Sequence, residues 1–380
     1  MEDDKIKYVA ASDLQVGSKC LTVSGKTLTV TSNVSVLHSF VTVSPKKGAS
    51  FSLSSYSDLA LHSCGYRDLR YGERFTLDAE SHDLMVDHIL HRIKLYHCPI
   101  FLPQADLPIP PYIYGYWICK AKGSSIRFLD KSVIEAFKEY AAASGLSFQC
   151  TRDTLQDGDD AKALMVQDHN SEKEGFKPVR KRKHAEYRQQ IWYYAMDQAF
   201  LDVIRKHGLA SNSELTHQVC NIHEMYMNGS REQRIEMLSG ILDACGHIQQ
   251  HGATYDIMSR YELFIHQVRR LALSVGLIAS IHYTDIINVG RYTRRRVMSG
   301  EGTLSKVPRL YISGDIDILS CRNPNKKVSS RKRNFVTGFT VTWNEDAQVE
   351  IFQKITLTGD QPHECLLNEE CIAISCASTD

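Results

Sequence analysis

The chain has 380 residues, 43% of them hydrophobic and 23% charged, with a formal net charge of +1. This is the composition of a folded protein of two or three domains, and its near neutrality excludes a global field directed at nucleic acid or membrane, so any surface for a polyanion must come from local clusters. No run of about 18 apolar residues occurs, and the opening "MEDDKIKYVAASD" has no apolar core, so neither a membrane span nor a secretory leader is expected and the chain reads as intracellular.

Residues 1 to about 105 are rich in Val, Thr and Ser, with alternating runs such as "CLTVSGKTLTVTSNVSVLHSFVTV" (20–43), the pattern of half-buried strands joined by turns. From 106 to 318 the texture is mixed. "DKSVIEAFKEYAAASGL" (130–146) predicts a helix with Asp130 as N-cap, Val133, Ile134, Phe137, Tyr140 and Ala141 at helical spacing, and a stop at Gly145. "SRYELFIHQVRRLALSVGL" (259–277) predicts a second helix of the same kind, with Leu263, Val268, Leu271, Leu273 and Val275 as its apolar positions and Gly276 as its stop. The stretch 151–190 between them is polar and charged and reads as a long loop or insert. Strands return in "GFTVTWNEDAQVEIFQKITLTG" (338–359), so β-rich ends flank an α/β centre.

The centre reads as a duplication. "YIYGYWICKAKGSS" (112–125) precedes the first helix as "MLSGILDACGHIQQ" (237–250) precedes the second: a Gly-containing helix, then strands, then a helix ending "SGL" or "VGL". Eleven cysteines lie between Cys20 and Cys376 with no CxxC pair, which fits reduced thiols better than a disulfide frame or a tetrahedral zinc site. Cys365, Cys371 and Cys376 are close enough to invite a metal reading, but they lack the paired spacing of a zinc knuckle. His247 beside Cys245 has no third ligand near it in sequence, so a buried Cys at a helix crossing is the preferred reading there.

"LSGILDACG" (238–246) resembles the paired motif of the LAGLIDADG homing endonucleases, and "YGYWICKAKG" (114–123) is a looser match to its first copy. "SDLQVGSKCLTVSG", "FTLDAESHDLMV" and the C-terminal "GFTVTWNEDAQVEIFQKITLTGDQPHECLLNEECIAISC" resemble the blocks of an intein (Hint) splicing domain. The layout is similar to that of the yeast vacuolar ATPase intein and the HO mating-type-switching endonuclease, although the cysteine-rich zinc tail of the latter has no counterpart here. The resemblance implies an α+β protein: a Hint-like β domain built from 1–105 and 319–380, interrupted by a pseudo-twofold LAGLIDADG domain at 106–318, with repeats at about 106–150 and 191–318 and the insert 151–190 between them. It also implies a monomer carrying an internal pseudo-dimer.

In that family the last acid of each motif holds the catalytic divalent metal. Those places are taken here by Lys120 and Cys245. An ammonium repels Mg²⁺ and a neutral thiol is a poor ligand for it, so cleavage is expected to be lost or severely weakened. No resident cofactor is expected, with Mg²⁺ required only if some cleavage remains. Asp243 lies two residues before Cys245, on another face of the helix, where it suits a hydrogen bond to the partner helix better than rescue of the metal site. Lys306 lies near the family's transition-state-supporting basic residue. Splicing also lacks its parts: Met1 stands in place of the first nucleophile, and Ile374 and Ser375 stand where His and Asn would precede Cys376. His82 and His363 match internal-block histidines and read as structural remnants.

Binding to double-stranded DNA needs no catalytic acid. Arg291, Tyr292, Arg294, Arg295 and Arg296 follow a strand-like run where the family reads the major groove, and Lys326, Lys327, Arg331, Lys332 and Arg333 form a second basic run. The first of these runs could equally be a solvated loop. A third run, Lys177 to His184, reads as a nuclear import signal or a further phosphate contact, and a nuclear location is expected.

Overall fold

The computed structural model describes residues 9–22, 26–45, 51–54, 58–63, 74–78, 93–95, 97, 99–154, 190–210, 220–249, 253–288, 303–328, 341–343, 348–357, 365–367 and 373–375. The protein is α+β. Its N-terminal part contributes β1 (Lys19–Leu21), β2 (Thr27–Pro45), β3 (Phe51–Ser54), β4 (Asp58–Ser63), β5 (Arg74–Asp78) and β6 (Ile93–Leu95).

The centre begins with helix α1 (Pro111–Lys120), then β7 (Ala121–Lys122), β8 (Ser125–Phe128), α2 (Lys131–Ala143), β9 (Phe148–Asp153) and β10 (Trp192–Met196). Helices α3 (Gln198–Lys206) and α4 (Glu224–Met227) connect this unit to a second one. The second consists of α5 (Arg231–Cys245), β11 (His247–Ile248), β12 (Tyr255–Met258), α6 (Glu262–Ser274), β13 (Ile278–Asn288) and β14 (Thr303–Ser313). The C-terminal part adds β15 (Val341–Trp343), β16 (Gln348–Leu357), β17 (Cys365–Leu367) and β18 (Ala373–Ser375).

The two ends of the chain share their sheets. β15 and β16 pair antiparallel with the long β2, with Lys354 opposite Val34, and β18 pairs with β4 at Ile374 and Leu59. The sequence pattern at both ends therefore has a structural basis: alternating Val and Thr runs from opposite ends of the chain complete each other's hydrogen-bond ladders.

Both central units run helix, two strands, helix, two strands. Their four-stranded sheets have the same order, β7-β8-β10-β9 and β11-β12-β14-β13, which places the fourth strand of each unit between the second and third. The expected end of the first unit near 150 is corrected by this pairing. β10 lies beyond the polar stretch, yet it pairs with both β8 and β9, so the first repeat needs it to join those strands. Residues 192–206 accordingly belong with the first unit, and the second motif helix starts at Arg231.

Local chemistry explains the helices. Asp130 caps α2 by accepting from the Ser132 amide at 2.8 Å, and Gly145 ends it with φ of 66°. Ser230 and Gln233 form a capping box on α5, and Gly276, with φ of 96°, follows α6. The apolar face of α6 starts at Phe264. Leu263, expected on that face, is 66% exposed because the helix turns Phe264, Ile265 and Val268 to the core instead.

Helices α1 and α5 are buried nearly all round and cross at the centre of the core. Arg234 on α5 is fully buried, and its guanidinium donates to the carbonyls of Gly229 and Ser274 at 3.0 Å and to that of Ile100. It ties the second motif helix to the C-terminal end of α6, where a cation also suits the helix dipole.

Candidate functional site

The helix crossing sets the register of everything around it. A Cβ on Gly115 would overlap the Met237 carbonyl oxygen, and a Cβ on Gly240 would overlap the Tyr112 carbonyl oxygen. Each contact joins a glycine to the residue three positions before the other glycine, so Gly115 and Gly240 are equivalent across a pseudo-twofold axis. Five residues beyond them stand Lys120 and Cys245, the last residues of α1 and α5. The two positions singled out in the motifs are therefore structural counterparts.

Cys119 and Cys245 bring their Sγ atoms to 3.8 Å. The Cys245 thiol donates to the Ile241 carbonyl at 3.2 Å, which leaves its sulfur to accept from Cys119. Burial pushes the Cys119 thiol up, whereas Cys245 is the more acidic partner, held down first by its hydrogen bond with Cys119 and then by the charges of Lys120 and Lys326. Buried Cys220 lies near the same pair, bonded through its amide to the Ile118 carbonyl at 3.1 Å; burial above all pushes its thiol up to about 12.

Asp243 turns away from these groups. Its Oδ2 accepts from the Tyr112 hydroxyl at 2.7 Å, from the Arg322 amide at 2.6 Å and from the Asn323 amide at 3.4 Å. Burial raises its pKa against the pull of those bonds, and Oδ1 has no hydrogen-bond partner among the described residues. The Arg322 guanidinium stacks 4.5 Å over the Tyr112 ring. Asp243 thus clamps α1 and the segment after β14 onto α5.

Lys326 comes from that same segment. Its Nζ donates to the Leu242 carbonyl at 2.8 Å and to the Asp243 carbonyl at 2.7 Å, capping the C-terminal end of α5. Desolvation lowers its pKa. This differs from the place expected of a phosphate-contacting lysine, because two donors of the ammonium are committed to the helix end. Lys327 next to it is exposed.

These donors do not fit a Mg²⁺ ion. The two helix ends offer an ammonium and thiols, a second ammonium covers the α5 carbonyls, and the nearby carboxylate is taken up by three donors. Hard cations require oxygen ligands that these groups do not supply. Among the described residues no cluster of three His, Cys, Asp or Glu side chains is arranged to hold a metal. The idea that Asp243 could act as a displaced ligand is set aside by its burial and its three bonds.

The outer faces of the two central sheets carry a second set of groups. Arg127 on β8, Tyr193 on β10 and Arg152 on β9 lie in one cross-strand row, and the Arg152 guanidinium sits 6.0 Å from the Tyr193 ring centroid. Lys122 on β7 pairs with Ser125, which lies on the same face as Arg127. The alternate residues Ile126 and Phe128 face the core. In the second unit Met258, Arg309 and His282 form the corresponding row; Arg309 pairs with buried Asp256 and lies 5.3 Å over the Tyr311 ring. Isolated arginines at period two in strands gave no basic run to notice, so Arg127, Arg152 and Arg309 were not among the candidates read from sequence.

Lys306 is exposed on β14, in register with Asp285 of β13. Ile374 and Ser375 lie in β18, paired with Leu366 and Cys365. His82, His363, Cys376, Arg291, Tyr292, Arg294, Arg295, Arg296, Arg331, Lys332, Arg333 and the run 177–184 lie outside the described residues.

The fold and site define an α+β protein built on a duplicated helix-and-sheet unit whose two buried helices meet through glycines. Solved structures to which the chain is similar include that of I-DmoI in complex with DNA and Mn, at 12% identity and a TM-score of 0.27, covering 54% of this chain and 89% of that one. A complex of a variant of I-DmoI with its target DNA in the presence of Mn gives the same identity, TM-score and coverage of this chain, and 87% of the other. No protein-family model matches the chain, and no curated protein matches it.

Proposed function

We propose that this chain is a site-specific double-stranded DNA-binding protein descended from an intein-type LAGLIDADG homing endonuclease, incompetent in splicing and impaired in cleavage. The observation that carries this reading is the duplicated unit itself. Two sheets of identical strand order flank a glycine crossing of two buried helices, and the first sheet presents Lys122, Arg127 and Arg152 outward. A surface of this kind suits phosphate neutralisation by the arginines and lysine, with strand side chains reaching base edges.

The loss of cleavage rests on Lys120 and Cys245, which replace oxygen ligands at equivalent helix ends. A Hint-like origin of the terminal β part is supported by the sharing of sheets between both chain ends and by the sequence blocks found there. Loss of splicing rests on Ile374 and Ser375 in place of the final His and Asn. A nuclear location is supported by the basic run 177–184 of the sequence and by DNA as the proposed partner, and a monomer with an internal pseudo-dimer by the duplication.

The test is to pass fragmented genomic DNA over the purified full-length protein at moderate salt, sequence the retained fragments, and incubate the enriched site with Mg²⁺. Enrichment of one site, weakened steeply by salt and without new ends, supports the reading. Absence of enrichment at any salt sinks DNA binding, and Mg²⁺-dependent double-strand ends sink the impairment of cleavage.

A further inference from the structure

We propose that Cys119 and Cys245 are the site of a reversible disulfide that staples the two central helices together, formed by hydrogen peroxide. The Sγ atoms already touch at 3.8 Å, and a disulfide requires them to close to about 2.05 Å. The glycine crossing brings the two helices together just before these ends, because Gly115 and Gly240 admit the partner backbone. The two sulfurs have different environments. Cys245 retains partial exposure and lies near the ammonium groups of Lys120 and Lys326, which favour a thiolate; Cys119 is buried beside it. Exposure, nearby positive charge and an adjacent second thiol are together what a peroxide-sensitive cysteine with a resolving partner requires. This inference does not depend on DNA binding.

The chemistry balances in two steps. The Cys245 thiolate attacks one peroxide oxygen, the O–O bond breaks, and the sulfur becomes a sulfenic acid while the other oxygen leaves as hydroxide and takes up a proton to become water. The Cys119 sulfur then attacks the sulfenic sulfur, its proton passes to the departing oxygen, and water leaves. Both thiols are oxidised, and one peroxide is reduced to two waters. Cys220 is less suited to the role, since it is buried and its thiol is held at about 12.

The experiment treats the reduced full-length protein with hydrogen peroxide, quenches free thiols with an alkylating agent, and maps linked peptides by mass spectrometry. The expected product is a Cys119–Cys245 crosslink that dithiothreitol reverses, with amide exchange in 112–120 and 237–245 slowed at least severalfold while it is present. The Cys119→Ser variant is expected to stop at the sulfenic acid on Cys245, trapped by dimedone. If that variant is misfolded, the Cys220→Ser variant serves as the second readout and must still form the crosslink. Recovery of both cysteines alkylated after peroxide, or a crosslink that runs instead to Cys220, overturns the proposal.

Discussion

Gly115 and Gly240 each accept the partner helix's backbone where a side chain would stand, and they do so symmetrically, against Met237 and Tyr112. At Gly240 an added Cβ would also lie 3.0 Å from the Tyr112 carbonyl carbon and the Tyr116 amide. Because the obstacles are backbone atoms at the centre of a packed core, the helices must separate to admit even a methyl group. Gly240→Ala and Gly115→Ala are each expected to destabilise the protein by about 3 kcal/mol. Chemical denaturation of the purified variants checks this, and a cost below about 1 kcal/mol would show the crossing to be looser than described.

Asp243 makes stability depend on pH in an unusual direction. Its burial raises its pKa above the ordinary carboxylate value of 3.8, so between that value and the raised one the folded state binds more protons than the unfolded state. Stability from this group is therefore full at acid pH and falls as the pH rises through the raised pKa. Asp243→Asn removes the titration while keeping an acceptor for Tyr112 and Arg322. The variant is expected to gain stability relative to the parent as the pH is raised from about 4 to about 7. A difference in unfolding free energy that stays flat over this range, measured by urea titration at several pH values, would contradict the assignment.

Much of the central domain was legible because its signals are local. The Asp130 cap, the Gly145 and Gly276 stops and the repeated glycine-containing helices each follow from residues a few positions apart. The long-range pairings were harder to read. Nothing in Trp192–Met196 states that it returns across a polar stretch to lie between β8 and β9, because strand pairing depends on tertiary contacts rather than on the strand's own pattern. Lys326 misled for a related reason. Adjacent lysines read as a solvated basic run, whereas one of them folds back to cap a helix some 80 residues earlier in the chain. The Cys119–Cys245 contact was hidden by the alignment of motif positions, which compares Cys245 with Lys120 and so draws attention away from Cys119.

The two kinds of basic residue separate in their effects. Lys326→Met removes two charge-assisted hydrogen bonds from the end of α5 and is expected to cost about 2 kcal/mol of stability. Arg127→Ala and Arg152→Ala, on an exposed sheet face, are expected to leave the unfolding free energy within about 0.5 kcal/mol of the parent. If that face contacts DNA, each arginine variant lowers the slope of log affinity against log salt by about 1. Fluorescence anisotropy across a salt series, run beside denaturation on the same preparations, reads both quantities. Arginine variants with an unchanged slope would remove this face from the interface.

Lys120 and Cys245 occupy equivalent ends of α1 and α5, so placing acids at both should create an oxygen-ligand set between the helices. Carboxylates there also meet the positive charge of Lys326, which favours their ionised form. The Lys120→Asp, Cys245→Asp double variant is expected to bind Mn²⁺, seen as loss of the free-ion paramagnetic resonance signal in proportion to added protein. The parent is expected to leave that signal unchanged, since an ammonium and a thiol are poor partners for a hard cation. Binding by the parent equal to that of the double variant would locate the metal away from the helix ends and reverse the case for impaired cleavage.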